Sequence, residues 1–221
     1  MKPILSIHQP DFLPYSGLFH KIAKSDVFLV DDYDQYSTNG YHSRVKINDE
    51  WVSELVVDKK KLPINTKIKD VCIDADRTIG RIYSGLDRLH DAPYLKKARG
   101  LVRHIVSKSG VKGIVPLTQF NVMFISYICK YLEIDTLIEL LPNDYSHREK
   151  ELGIEDIMNG LYPEHIYLSG IGGKVYLSGT SLERSGRIMY SKHKMNYSDS
   201  ILSVVAYEKE PLQIVMMEDE I

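Results

Sequence analysis

"ILSIHQPDFLPYSGLFHKIAKSDVFLVDD", Ile4 to Asp32, is the stretch whose reading decides the fold class. Ile4 to Ile7 is a short apolar run that ends at His8. Pro10 and Pro14 bracket a turn, because each proline fixes its own φ and biases the residue before it away from helix. From Ser16, a residue able to cap, Leu18, Phe19, Ile22 and Ala23 recur at helical spacing. Val27 to Val30 is a second apolar run, and it stops at Asp31-Asp32. Strand, polar loop, helix, strand and acidic pair open an α/β sheet, in which ligands sit where strands end.

Beyond this unit, Asn39-Gly40 predicts a hairpin turn. Trp51 to Val57 and Lys67 to Asp74 read as strands. Helical periodicity runs from Thr78 to Gly110, broken at Ala92-Pro93. A third helix spans Pro116 to Ile134, with Phe120, Met123, Phe124, Tyr127, Ile128 and Tyr131 as a core face. Ser146 with Glu149 three positions on matches a capping box and starts a fourth helix. Glu164 to Leu177 returns to strand character with a glycine cluster. The expected fold is mixed α and β: an N-terminal strand–helix–strand unit, a central helical region and a C-terminal return to strands. With no linker composition in between, residues 1–221 read as a single domain.

The 221 residues are 43% hydrophobic, enough for a sizeable core. No apolar run approaches the ~18 residues that cross a bilayer, and no signal peptide is recognised near Lys2. Cys72 and Cys129 lie far apart and form neither a metal pair nor a disulfide framework, so the expected location is the cytoplasm. There is no P-loop, no H-E-x-x-H and no G-x-S-x-G. The formal charge of −2 hides a basic stretch from Lys96 to Lys112 with no acid in it, either a solvated helix face or a surface that meets phosphate.

The densest polar set is His8, Gln9, Lys21, Asp26, Asp31, Asp32 and Gln35. His8 suits a general base, and Asp31 or Asp32 a proton acceptor or a ligand of Mg²⁺, the cofactor such a pair would take. The plainer readings are a structural histidine and aspartates that favour a turn. Arg44 and Lys46, two apart on a strand, share a face and suit phosphate or carboxylate, or are simply exposed charges. Gly172 and Gly173 bring backbone N–H groups close to an anion, or make a tight turn between strands. Lys192, His193 and Lys194 read as surface. Nucleotidyltransferases use a histidine-rich loop after their first strand, but the second histidine of H-x-G-H is missing here, where "YSGLFH" offers Gly17 and His20.

"IHQPDFLPYSGLFHKIAKSDVFLVDDYDQY" resembles the opening of the WbqC-like proteins, which begin I-H-Q-P, an aromatic, L-P, a glycine, K-I and then D-V-F. The resemblance continues through "GYHSRVKI", Trp51, Asn121 ahead of "YLEI", Arg148 ahead of "YLSGIGGKVYL", and "SILSVV". His42-Ser43 and Glu54 depart from it, where the family has Q-N and often proline. The resemblance implies a transferase joining an amino acid, or a related amine or acyl group, to a phosphate-activated acceptor. By its gene context that acceptor is a nucleotide-activated sugar of O-antigen and other surface polysaccharides. The alternative is a phage enzyme joining an amino acid to DNA whose thymine-type bases carry a pyrophosphorylated hydroxymethyl group. On either reading His8, Asp31 and Asp32 are the catalytic candidates. Gln9, Lys21, Gln35, Arg44, Lys46, Asn121, Arg148, Gly172 and Gly173 are the substrate-binding candidates. A non-catalytic scaffold and a nucleotidyltransferase stand as further alternatives.

Overall fold

The computed structural model describes residues 2–142, 150–194 and 197–219. Its first strand, β1 (Ile4–His8), leads through the proline loop into α1 (Ser16–Ala23) and then β2 (Val27–Val30), as the opening stretch predicts. A hairpin follows, β3 (Arg44–Ile47) and β4 (Glu50–Ser53), then β5 (Cys72–Asp74), α2 (Ala75–Asp87) and α3 (Leu95–Ser109). Next come β6 (Ile114–Pro116), α4 (Leu117–Tyr131), β7 (Leu137–Leu140), α5 (Lys150–Gly160) and β8 (Ile166–Ser169). The chain closes with α6 (Lys174–Leu177), α7 (Ser181–Arg184), β9 (Ile188–Tyr190), α8 (Ile201–Tyr207) and α9 (Pro211–Val215).

Five strands form one parallel sheet in the order β7-β2-β1-β8-β9. The chain winds from β1 to β2 and β7 on one side, then returns across β1 to β8 and β9 on the other. The winding reverses between β1 and β8, and open α/β sheets bind ligands in the crevice outside the strand ends at such a reversal. The pairing opens that crevice here. β1 is in register with β2 as far as His8↔Val30, whereas its pairing with β8 stops at Leu5↔Tyr167.

Alternation along the strands divides the core in two. Phe28 and Val30 pack in the larger cluster with Leu18, Phe19 and Ile22 of α1 and Phe120, Phe124 and Ile128 of α4. Leu5, Ile7, Val27 and Leu29 face the other way, toward Ile157, Met158, Leu177 and Leu182.

Local chemistry revises several sequence expectations. The hairpin turn is Asn48-Asp49, both with positive φ (55° and 61°), the signature of a type I′ turn between β3 and β4. Gly40 has no left-handed φ; a Cβ there would lie 2.4 Å from Cε1 of His42, so the glycine makes room for that ring. Ser16 is the first residue inside α1 rather than its cap, and its hydroxyl is buried with no partner. The expected strand Trp51 to Val57 ends at Ser53, and Lys67 to Asp74 divides into a 3-10 turn (Ile68–Asp70) and β5. The glycine cluster joins a strand to a short helix: Gly170 follows β8, and Ile171–Gly173 is a 3-10 turn leading into α6. Ser146, Arg148 and Glu149 lie outside the described residues, so the capping box and the Arg148 site assignment have no structural counterpart here. Among the described residues no helix is long and apolar enough to cross a membrane.

Candidate functional site

β1 runs into the proline loop at the level where β8 diverges from it. Parallel pairing points the carbonyls of Ile4 and His8 at β2, where Asp26 and Asp31 donate to them. The Pro3 carbonyl accepts from Ile166 on the other side. The Ile7 carbonyl therefore points toward β8 at the level where β8 has already diverged. Lys21 fills the gap: its Nζ donates to Ile7 O at 2.8 Å and lies 5.9 Å from the Tyr167 ring. Burial pushes the Lys21 ammonium down to about 8 from the ordinary lysine value, against a favourable pull from Asp11.

Asp11 is the functional candidate that the sequence reading missed. It is 2% exposed, and its Oδ1 is buried without a hydrogen-bond partner. Its Oδ2 lies 3.7 Å from Nδ1 of His8. Burial pushes its carboxyl up to about 7, partly offset by Lys21. His8 Nδ1 is 3.1 Å from the Gln9 carbonyl, which can only accept, so the neutral ring carries its proton on Nδ1 and its lone pair on Nε2. The arrangement is a histidine backed by a carboxylate, with a buried ammonium nearby. The available signal was a charged residue between Pro10 and Phe12 in a loop whose other side chains are largely apolar.

A chain of hydrogen bonds fixes the loop from behind. Ser37 N–H donates to Nε2 of His42 at 2.9 Å, so the His42 proton is on Nδ1, which donates to Oε1 of Gln9 at 2.9 Å. Nε2 of Gln9 donates in turn to Asp34. Burial lowers the His42 pKa and keeps the ring neutral for this role. Asn121, fully buried on α4, donates to the Pro10 carbonyl at 2.7 Å and the His42 carbonyl at 2.8 Å. Gln9 and Asn121 thus hold the proline loop against the segment that carries His42. His42, Ser43 and Glu54, the departures from the family pattern, gather around Tyr36. Its hydroxyl donates to Glu54 Oε1 at 2.7 Å, and its ring stands 5.5 Å from His42. Burial pushes the Glu54 carboxyl up to about 7.

The acidic pair divides. Asp31 donates its N–H to His8 O, accepts from Tyr33 N–H at 3.0 Å and biases Tyr167 on the face of Leu5. Asp32 is buried on the other face, beside Thr118 and Lys69, and burial raises its pKa. The two carboxylates face different neighbours, and no group of three His, Cys, Asp or Glu among the described residues stands together as a metal-holding set.

Gln35 uses its amide on the Ile64 carbonyl and ties the segment after β2 to the 60s loop. Arg44 and Lys46 share one face of β3, as their spacing predicts, and flank Trp51: the guanidinium is 4.1 Å and the ammonium 5.8 Å from its ring, which is 45% exposed. The edge of β3 joins Ser200, whose N–H donates to Lys46 O and which bridges Tyr15 of the proline loop. Gly172 has open space around it. A Cβ on Gly173 would lie 1.9 Å from Oγ of Ser169, the last residue of β8. Gly173→Ala is therefore expected to cost about 1–3 kcal/mol by overpacking, read as a lower midpoint in urea, with Gly172→Ala near wild type. The basic stretch lies on α3, where Lys97 caps the Lys209 carbonyl and Arg99 pairs with Asp87.

A five-stranded parallel sheet that reverses its winding between β1 and β8 places the chain among open, doubly wound α/β folds. The family model for the WbqC-like protein family matches residues 9–200, and the chain belongs to that family. No curated protein and no solved structure matches it.

Proposed function

We propose that the protein is a transferase that joins the amine of an amino acid to a carbon activated by a phosphate ester, with a nucleotide-linked sugar as the first acceptor to test. The observation that carries this reading is the His8–Asp11–Lys21 cluster at the crevice. The amine nitrogen attacks the activated carbon, a C–N bond forms, and the C–O bond to the phosphate group breaks with its electron pair leaving on oxygen. Nε2 of His8 takes the proton that nitrogen loses, and the Asp11 carboxylate stabilises the resulting imidazolium. Lys21 offsets the charge of the departing phosphate. The Arg44–Trp51–Lys46 face supports stacking of the acceptor's base beside the crevice.

That exposed stacking face also favours a second reading, in which the acceptor is DNA bearing a pyrophosphorylated hydroxymethyl base. The two separate by salt. Activity on DNA should fall steeply as salt rises, because phosphate contacts release counterions, whereas activity on a nucleotide sugar should change little.

The test incubates purified protein with isotopically labelled amino acids and each acceptor class, following label transfer by mass and release of the phosphate-bearing leaving group. The expected result is matched label transfer and release, reduced by about 10²–10⁴-fold in His8→Asn, the range for loss of a general base. No label on any acceptor with any amine would overturn the transferase reading. Release of pyrophosphate from a nucleoside triphosphate would replace it with nucleotidyl transfer.

A further inference from the structure

We infer that the cavity at the ends of β2 and β7 binds a free α-amino acid as its zwitterion, with Asp32 receiving the ammonium and Lys69 the carboxylate. The cavity is about 380 Å³ and is lined by Asp32, Tyr33, Lys69, Leu140, Leu141 and Pro142.

Asp32 is 8% exposed, yet among the described residues no cation stands within ion-pair distance of it. Burial holds its carboxyl above the ordinary value, offset only in part by the Thr118 hydroxyl, its own backbone N–H and Lys69. A buried carboxylate that faces a cavity without its counter-ion is completed by a ligand cation. The opposite charge is supplied from the same wall. Lys69 lines the cavity beside Asp32, with its Nζ 4.0 Å over the ring of Tyr33, another lining residue. One negative and one positive pole across a small space match a zwitterion. Asp32 is the one carboxylate among the described residues that line the cavity. Leu140, Leu141 and Pro142 offer an apolar wall for a short side chain.

The place fits the use. Val30 is the register partner of His8, and Asp32 lies two positions beyond Val30 on the same side of the sheet, where α4 packs. Strands are ~4.8 Å apart and rise ~3.3 Å per residue, so Asp32 stands roughly 8 Å from His8, a gap that the bound amino acid has to span. The inference rests on the transferase reading for what the bound amine then does; the binding itself stands apart from it.

The test is calorimetric titration of the intact protein with a panel of free amino acids differing in size and charge. Ethylamine and propionate serve as the two half-ligands, and the variants are Asp32→Asn and Lys69→Gln. At least one amino acid is expected to bind, with each half-ligand at least tenfold weaker and each variant weakened at least tenfold. Lys69 is exposed, so Lys69→Gln tests the site even if Asp32→Asn folds poorly. Absence of binding by every amino acid, equal binding of a half-ligand, or unchanged affinity in Lys69→Gln would overturn the assignment. Binding without transfer to any acceptor keeps this site and removes the transferase reading. Transfer with an unchanged amino-acid KM in Lys69→Gln does the reverse.

Discussion

Asp11→Asn is expected to lower kcat/KM of the transfer reaction by about 10²–10⁴-fold, the span associated with losing acid–base support, while the protein stays folded. The exchange is isosteric and removes the charge that backs His8 at 3.7 Å. In the wild type, kcat/KM should rise as pH passes about 7, where Asp11 ionises, and fall above about 8, where Lys21 loses its proton. The two limbs belong to the interacting pair rather than to either residue alone. Asp11→Asn should shift the acid limb, leaving the part set by protonation of the His8 base. Stability supplies a second readout. A carboxyl raised from 3.8 to about 7 in the folded chain holds its proton more tightly there than in the unfolded chain. It therefore destabilises the fold progressively as pH rises across that window, and the effect is constant above it. Denaturation midpoints of the variant should improve relative to wild type from pH 4 to pH 7 and then run parallel. Wild-type kcat/KM in Asp11→Asn would remove Asp11 from the mechanism.

The opening strand–helix–strand unit was legible because its cues are local: an apolar run, prolines, helical spacing and a second apolar run. The position of His8 at a strand end followed from the same cues. Its place at a winding reversal did not, because that depends on β8 arriving beside β1 from about 160 residues away in sequence, a pairing that no local pattern encodes. The hairpin turn was misplaced for a local reason. Asn39-Gly40 has the composition of a type I′ turn, but Gly40 is needed to accommodate the His42 ring, and Asn48-Asp49 takes the left-handed positions. Asp11 was not singled out because nothing local shows that it is buried, within electrostatic reach of Lys21 and Tyr15. The acidic pair shows the opposite error. Adjacent aspartates read as one site in sequence, whereas backbone alternation sends them to different faces.

Asn121 carries the second large expected effect, on stability and site geometry together. Its side-chain amide is a buried tie between two loops, Pro10 of the proline loop and His42 of the segment behind Gln9, which also meet through the His42–Gln9 and Phe12–Tyr41 hydrogen bonds. Asn121→Leu keeps the volume and removes both donors, leaving two buried carbonyls unpaired at about 1–3 kcal/mol each. A loss of about 2–4 kcal/mol in urea denaturation is the expected outcome, with kcat/KM falling as Gln9 and His8 lose their fixed backbone. Asn121→Asp separates the hydrogen bonds from simple packing. At neutral pH it presents carboxylate oxygens to two carbonyl oxygens, so acceptor faces acceptor and a charge is buried without a partner. It should therefore be less stable than Asn121→Leu at pH 7. Protonation restores one donor, and a carboxyl raised by burial contributes its penalty only as pH rises, so the gap between the variants should close as pH falls toward 4. If Leu and Asp cost the same at every pH, the Asn121 amide is not what ties the loops, and the Gln9–His42 and Phe12–Tyr41 hydrogen bonds hold them.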